Sequence, residues 1–146
     1  MPRRMIQDIV AGRPLIDASP AMSVRAAAQL MAQKRIGALL VVEQGQIAGI
    51  FTERDALNKV LAGQLDPDQT PLSAVMVAHP QTIGADKPLA YALQMMVDGG
   101  FRHVPVVDRD GRPIGMVSAR DALGQDMVDL EQDMKRLAAL EASIAY

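Results

Sequence analysis

Apolar positions along the chain follow two spacings, helical and strand-like, and the same succession of the two occurs twice. Val24, Ala27, Ala28 and Met31 fall at i, i+3, i+4 and i+7, which predicts a helix with one buried face. Ser23 is placed to cap its start and Gly37 to stop it. Ala38-Leu39-Leu40-Val41-Val42 is a continuous apolar run of strand length, suited to burial on both sides. Gln44-Gly45 then reads as a tight turn, Ile47 to Phe51 as the return strand, and Thr52 as the start of a helix reaching Ala62 and closed by Gly63. Downstream, Leu89, Ala92, Leu93 and Met96 repeat the helical spacing up to Gly99-Gly100. Val104-Pro105-Val106-Val107 is the matching strand, its proline arguing for an edge or a non-bonded position. Asp110-Gly111 is the turn, Ile114 to Val117 the return strand and Ser118 the next helix start. Leu15-Ile16 and Thr82-Ile83 are candidate short strands, Ser73 to Val77 a short helical turn, and Met5, Ile6, Ile9 and Val10 a short apolar-periodic piece at the beginning.

The repetition extends to individual residues. Gly49-Ile50-Phe51-Thr52-Glu53-Arg54-Asp55-Ala56-Leu57 returns, 66 positions later, as Gly115-Met116-Val117-Ser118-Ala119-Arg120-Asp121-Ala122-Leu123. The expected fold is therefore α/β (α+β): two βαββα repeats of about 60 residues related by a pseudo-twofold axis. Units that small are expected to share a core. Residues 1–63 form the first repeat with its N-terminal segment, 64–72 a proline-punctuated linker, 73–128 the second repeat and 129–146 a C-terminal helical extension. In that extension Leu123, Met127, Leu130, Met134, Leu137 and Ile144 fall on a heptad-like seam, with Glu131 and Lys135 as an i, i+4 pair. The seam either packs on its own domain or meets a second copy.

Composition narrows the functional classes. Hydrophobic residues make up 49% of the 146 and charged residues 22%, at a formal net charge of −2, so no overall basic field draws in nucleic acid or an anionic membrane. Aromatics are 3%, leaving few platforms for stacking bases. No apolar run approaches the roughly 18 residues of a membrane span, and the N-terminus lacks a signal-peptide core, so the cytoplasm is the expected compartment. There is no cysteine, and His79 and His103 have no zinc-ligand spacing. No nucleophile elbow or P-loop lysine is present, which argues against an enzyme. The ten methionines read as adaptable core filler.

The twin Gly-apolar-x-Thr/Ser-x-x-Asp motifs follow Ala38 to Glu43 in one half and Arg102-His103-Val104-Pro105-Val106-Val107-Asp108 in the other. Together they closely resemble the CBS domain pair, or Bateman module, over 5–128. The resemblance implies a sensor that binds adenosine-containing ligands (AMP, ADP, ATP, NAD(H) or S-adenosylmethionine) between the repeats. It also implies a homodimer and an unidentified regulated protein, as in the regulatory module of inosine monophosphate dehydrogenases or in small stand-alone bacterial proteins. No cofactor is required on this reading. The alternative is a dimerisation scaffold that binds no ligand.

On that reading Thr52 and Ser118 are the phosphate-facing hydroxyls, since a helix start presents unpaired N–H groups. Asp55 and Asp121 are the ribose acceptors. Thr-x-x-Asp and Ser-x-x-Asp are equally plain helix-capping patterns, and the two roles can coexist. The resemblance adds Ile36, Gly37 and Ala38 in the first repeat and Phe101, Arg102 and His103 in the second as base-pocket and phosphate positions. The Arg102–His103 cleft is the better equipped for an anion. Val77, Ala78, Pro80 and Gln81 would meet the adenine edge in the second repeat, and Val10 to Ile16 in the first. Ile50 and Met116 would floor the pocket or simply belong to the core, while Arg54 and Arg120 would reach a phosphate, solvent or a dimer partner.

Overall fold

The computed structural model describes residues 4–144, the side chains of 125–128 excepted. The first repeat runs β1 (Asp17–Ala18), α2 (Val24–Lys34), β2 (Ala38–Glu43), β3 (Gln46–Thr52) and α3 (Glu53–Asp55), the last continuing into a π-helical stretch, Ala56–Leu61. The second runs β5 (Ile83–Gly84), α5 (Leu89–Gly99), β6 (His103–Val107), β7 (Pro113–Ser118) and a 3-10 turn, Ala119–Ala122, followed by α6 (Gly124–Ile144). Two further helices and a strand lie outside this scheme: α1 (Ile6–Val10) before the first repeat, and α4 (Leu72–Val75) with β4 (Val77–Ala78) between the two.

Local chemistry sets most boundaries. The Ser23 hydroxyl accepts from Ala26 N–H at 3.1 Å, and Arg35 closes α2 in the left-handed region at φ 55°. Gly100, at φ 72°, closes α5 in the same conformation, which glycine adopts at no steric cost. Gln44 and Gly45, both at positive φ, turn β2 into β3. The short first strand is at Asp17–Ala18 rather than at Leu15-Ile16, because it is these two residues that pair in parallel with Leu40 and Val41. The helix after Thr52 widens at once, Ala62 N–H reaching back to Leu57 C=O at 2.8 Å.

The strands form two sheets, ordered β1-β2-β3-β4 and β5-β6-β7. Pro105 lies on the central strand of the second, not at an edge. It is accommodated because the parallel register with β5 begins only at Val106.

The expected common core is not what forms. Val24, Ala27, Met31, Leu39, Val41, Phe51 and Val60 make one buried cluster, and Ile83, Leu89, Ala92, Met96, Val104, Val106 and Val117 another. What ties the halves together is an exchange of helices. α1 precedes the first repeat but buries Ile6 and Val10 in the second cluster, with Ile6 N–H bonded to Lys87 C=O and Gln7 N–H to Ala85 C=O, each at 3.0 Å. Leu72 and Val75 of α4 complete the first cluster, and Leu72 N–H donates to Met22 C=O at 2.9 Å. Leu72 is thus core and not linker.

Among its described side chains α6 contributes none to either core. Leu130, Met134, Leu137 and Ile144 are 57, 61, 54 and 81% exposed, so the seam does not pack on its own domain. Met127 lies outside the described side chains. Glu131 sits 3.7 Å from Arg120 rather than beside Lys135. Among the described residues no helix is long and apolar enough to cross a membrane.

Candidate functional site

The two repeated motifs face one crevice of about 1450 Å³ between the repeats. That exceeds the roughly 300–1,000 Å³ of an ordinary small-ligand pocket, so space does not limit occupancy. From the first repeat come Ile16, Ile36, Gly37, Ala38, Ile50 and the stretch Thr52 to Asp55. The second contributes Phe101, Arg102, His103, Met116 and the stretch Ser118 to Asp121, and the connecting segment adds Val77, Pro80 and Gln81. Of the residues expected at the base, Val10, Ala11, Gly12 and Ala78 do not line the crevice, and Ala78 pairs with Gly49 at the edge of the first sheet.

The connecting segments divide differently from the expectation. Val77 and Ala78 extend the first repeat's sheet beside Ile50 and Gly49, where a β-carbon on Gly49 would meet Met76 Sδ at 2.6 Å. Conversely, Val10 stands against Gly115 and Arg13 reaches Asp121, both in the second repeat, while Ile16 packs on the first. The helix exchange is the cause: each connector begins on one repeat and ends on the other.

Each motif closes a cap, as the capping reading requires. Thr52 N–H donates to Asp55 Oδ2 at 3.0 Å, the Thr52 hydroxyl donates to the same oxygen at 3.1 Å, and Asp55 N–H returns to Thr52 Oγ1 at 3.3 Å. In the second repeat Ser118 N–H donates to Asp121 Oδ2 at 2.8 Å. The two repeats place these turns alike. Glu53 N–H bonds Gly37 C=O at 3.1 Å in one, and Ala119 N–H bonds Arg102 C=O at 2.8 Å in the other.

Both aspartates also carry a cation that the sequence reading did not assign. Asp55, with its side chain 8% exposed, holds Lys59 Nζ at 3.0 Å, and the same ammonium donates to Val75 C=O at 2.8 Å. Asp121, 12% exposed, is gripped by Arg13, with Nη2 at 2.7 Å from Oδ1 and Nη1 at 3.3 Å from Oδ2. Arg4 adds a 2.6 Å bond to the Asp121 carbonyl. Burial pushes the Asp121 carboxyl upward, but the Arg13 and Ser118 hydrogen bonds, with the charges of Arg13 and Arg4, outweigh it and hold the group below the usual carboxylate range. Lys59, an i+4 partner of Asp55, was legible in principle. Arg13 lies 108 positions from Asp121 and left no local trace.

His103 stands where the repeats meet: a β-carbon on Gly37 would lie 3.6 Å from its Cε1 and 2.8 Å from Glu53 Oε1. Burial lowers its pKa, the carboxylates of Glu53 and Asp121 oppose that, and Arg102 adds to it. The net is an imidazole whose pKa is held below its ordinary range. Arg102 is exposed, and Arg54 reaches across to Gly100 C=O at 3.3 Å. Among the described residues no cluster of three His, Asp or Glu could hold a metal ion.

Two capped hydroxyl–carboxylate pairs facing one crevice between exchanged half-domains define a tandem-repeat module. The chain belongs to the CBS domain family, whose pattern matches residues 6–62 and 72–127. It is 33% identical over 131 residues to the protein MK0525 of Methanopyrus kandleri, covering 87% of this chain and 67% of that one. It is also 35% identical over 119 residues to the CBS domain-containing protein CBSCBSPB5 of Arabidopsis thaliana. That match takes in 81% of the chain but spans only 22% of the Arabidopsis protein. Among solved structures it is similar to the CBS domain protein PAE2072 of Pyrobaculum aerophilum complexed with AMP, with TM-score 0.76, 25% identity, and 89 and 98% of the two chains covered. The CBS domain pair of MJ0100, in complex with 5'-methylthioadenosine and S-adenosyl-L-methionine, superposes with TM-score 0.74 at 26% identity, covering 83 and 94%.

Proposed function

We propose that this chain is a regulatory module, not an enzyme, that binds an adenosine-containing ligand between its repeats and passes the ligand state to a partner protein. The observation that carries the reading is the convergence of Thr52–Asp55 and Ser118–Asp121 on one crevice walled by Arg54, Arg102, His103 and Arg120. A ribose offers two vicinal hydroxyl donors to a carboxylate, and arginine and imidazole N–H groups suit phosphate oxygens. The AMP of PAE2072 and the adenosyl compounds of MJ0100 support the same ligand class. A ligand touching both repeats favours one relative arrangement of them, and its leverage on a partner equals its differential affinity for the two arrangements.

Calorimetry and thermal shift with AMP, ATP, NADH and S-adenosylmethionine test this, and a folded chain that binds none of them ends the reading. His103 supplies a second readout. Burial holds its pKa below the ordinary histidine range, and an arriving phosphate favours the charged form. Binding of AMP at pH 7 is therefore expected to take up a proton, measured as a buffer-dependent heat, and His103→Asn is expected to abolish the uptake.

A homodimer through α6 is a second reading, favoured by the exposed Leu130, Met134, Leu137 and Ile144 seam, an apolar stripe of the kind a second helix covers. Truncation after Asp126 is expected to yield a folded monomer by light scattering. A truncated chain that remains dimeric places the contact elsewhere.

A further inference from the structure

The crevice contains one contact that opposes its own use. Both oxygens of Asp121 are taken in the free protein: Oδ1 by Arg13 Nη2 at 2.7 Å, and Oδ2 by Arg13 Nη1 at 3.3 Å and Ser118 N–H at 2.8 Å. With about four acceptor sites on a carboxylate and three of them filled, both ribose hydroxyls can bond Asp121 only if the guanidinium gives up at least one. Arg13 is built to leave, with its side chain half exposed against 12% for Asp121. It hangs on a short loop behind Gly12, which sits at φ 76° with open space around it. The corresponding cation of the first repeat, Lys59, is fixed within its own helix and tied a second time to Val75 C=O. Only the second aspartate is guarded by a residue from outside its repeat.

We propose that Arg13 is a specificity-determining residue that makes the second-repeat aspartate select phosphorylated over unphosphorylated adenosine ligands. This rests on the adenosyl reading given above. An incoming nucleoside displaces the guanidinium from Asp121 and offers it nothing in return, so an ion pair with two hydrogen bonds is lost. An incoming nucleotide displaces it equally but brings a phosphate into the crevice that Arg13 itself lines, and a guanidinium fork fits a phosphate as well as a carboxylate. The exchange is then nearly balanced for AMP and unbalanced for adenosine, and more so for a ligand whose added group is cationic, such as S-adenosylmethionine. The residue thereby acts as a gate on ligand charge, with no change needed in the shape of the base or ribose pocket.

Calorimetry of the full chain with AMP and with adenosine, on wild type, Arg13→Gln and Arg13→Lys, tests the inference. Wild type is expected to prefer AMP, and Arg13→Gln to shrink the AMP-to-adenosine affinity ratio at least tenfold, with adenosine binding tightened outright. Arg13→Lys, which keeps the charge without the fork, is expected to fall between. A general loosening of the fold moves both affinities together and leaves the ratio unchanged, so an unchanged ratio overturns the inference while AMP binding upholds the adenosyl reading. Wild type that binds neither compound overturns the inference, and the adenosyl reading falls with it only if ATP, NADH and S-adenosylmethionine fail to bind as well.

Discussion

Ile6→Ala is expected to destabilise the second repeat, not the first, by about 2–5 kcal/mol, the usual cost of truncating a fully buried isoleucine. Ile6 is completely buried, in one cluster with Leu89, Ala92, Val104 and Val117. The loss should appear as a fall in Tm of roughly 5–15 °C. It should also appear as faster amide exchange in 83–118, while 17–60 keeps its protection. Leu72→Ala is the mirror experiment, since Leu72 is buried in the first cluster and should loosen 17–60 instead. If Ile6→Ala exposes the first sheet preferentially, the exchange of helices described above is wrong.

Asp121→Ala is expected to weaken adenylate binding by about 1.5–3 kcal/mol, or roughly 10–150-fold, as removal of an ionised acceptor for two hydroxyls does. Asp55→Ala is expected to weaken it less and to destabilise the fold more. The reason is what each carboxylate already does. Asp55 is nearly inaccessible and serves Thr52 N–H, the Thr52 hydroxyl and a doubly anchored Lys59, so it is mainly a structural group. Asp121 gives up only a half-exposed arginine to receive a ligand. Thermal melts beside calorimetry separate the two effects, and equal affinity losses or the reverse order would count against the second cleft as the dominant one.

What the sequence disclosed and what it concealed divide by the range of the interactions. β2, β3 and α2 were legible because their determinants are local: an apolar run, a Gln44-Gly45 turn and a Ser23 cap. The duplicated motif put both aspartates in helix caps for the same reason, since capping joins residues three apart. α1 was legible as an apolar-periodic piece, but nothing in Ile6 and Val10 says which of two similar cores they enter. Periodicity specifies that a face is buried, never against what. Arg13 was hidden by the same distance, and Pro105 took the non-bonded one of its two expected positions because β5 is only two residues long and stops short of it. α6 shows the converse. Its heptad-like seam was expected to pack on its own domain or on a second copy, and no part of the described chain covers it.

The path of the chain also decides which half a neighbour would feel. α1 and α6 flank everything else, yet both attach to the second repeat, with Arg4 bonded to the Asp121 carbonyl and its guanidinium 2.7 Å from where a Gly124 β-carbon would stand. The first repeat is a loop of chain that leaves this body and comes back. A protein gripping the molecule at either flank therefore takes hold of the half that contains Asp121, and motion in the other half reaches it only second-hand.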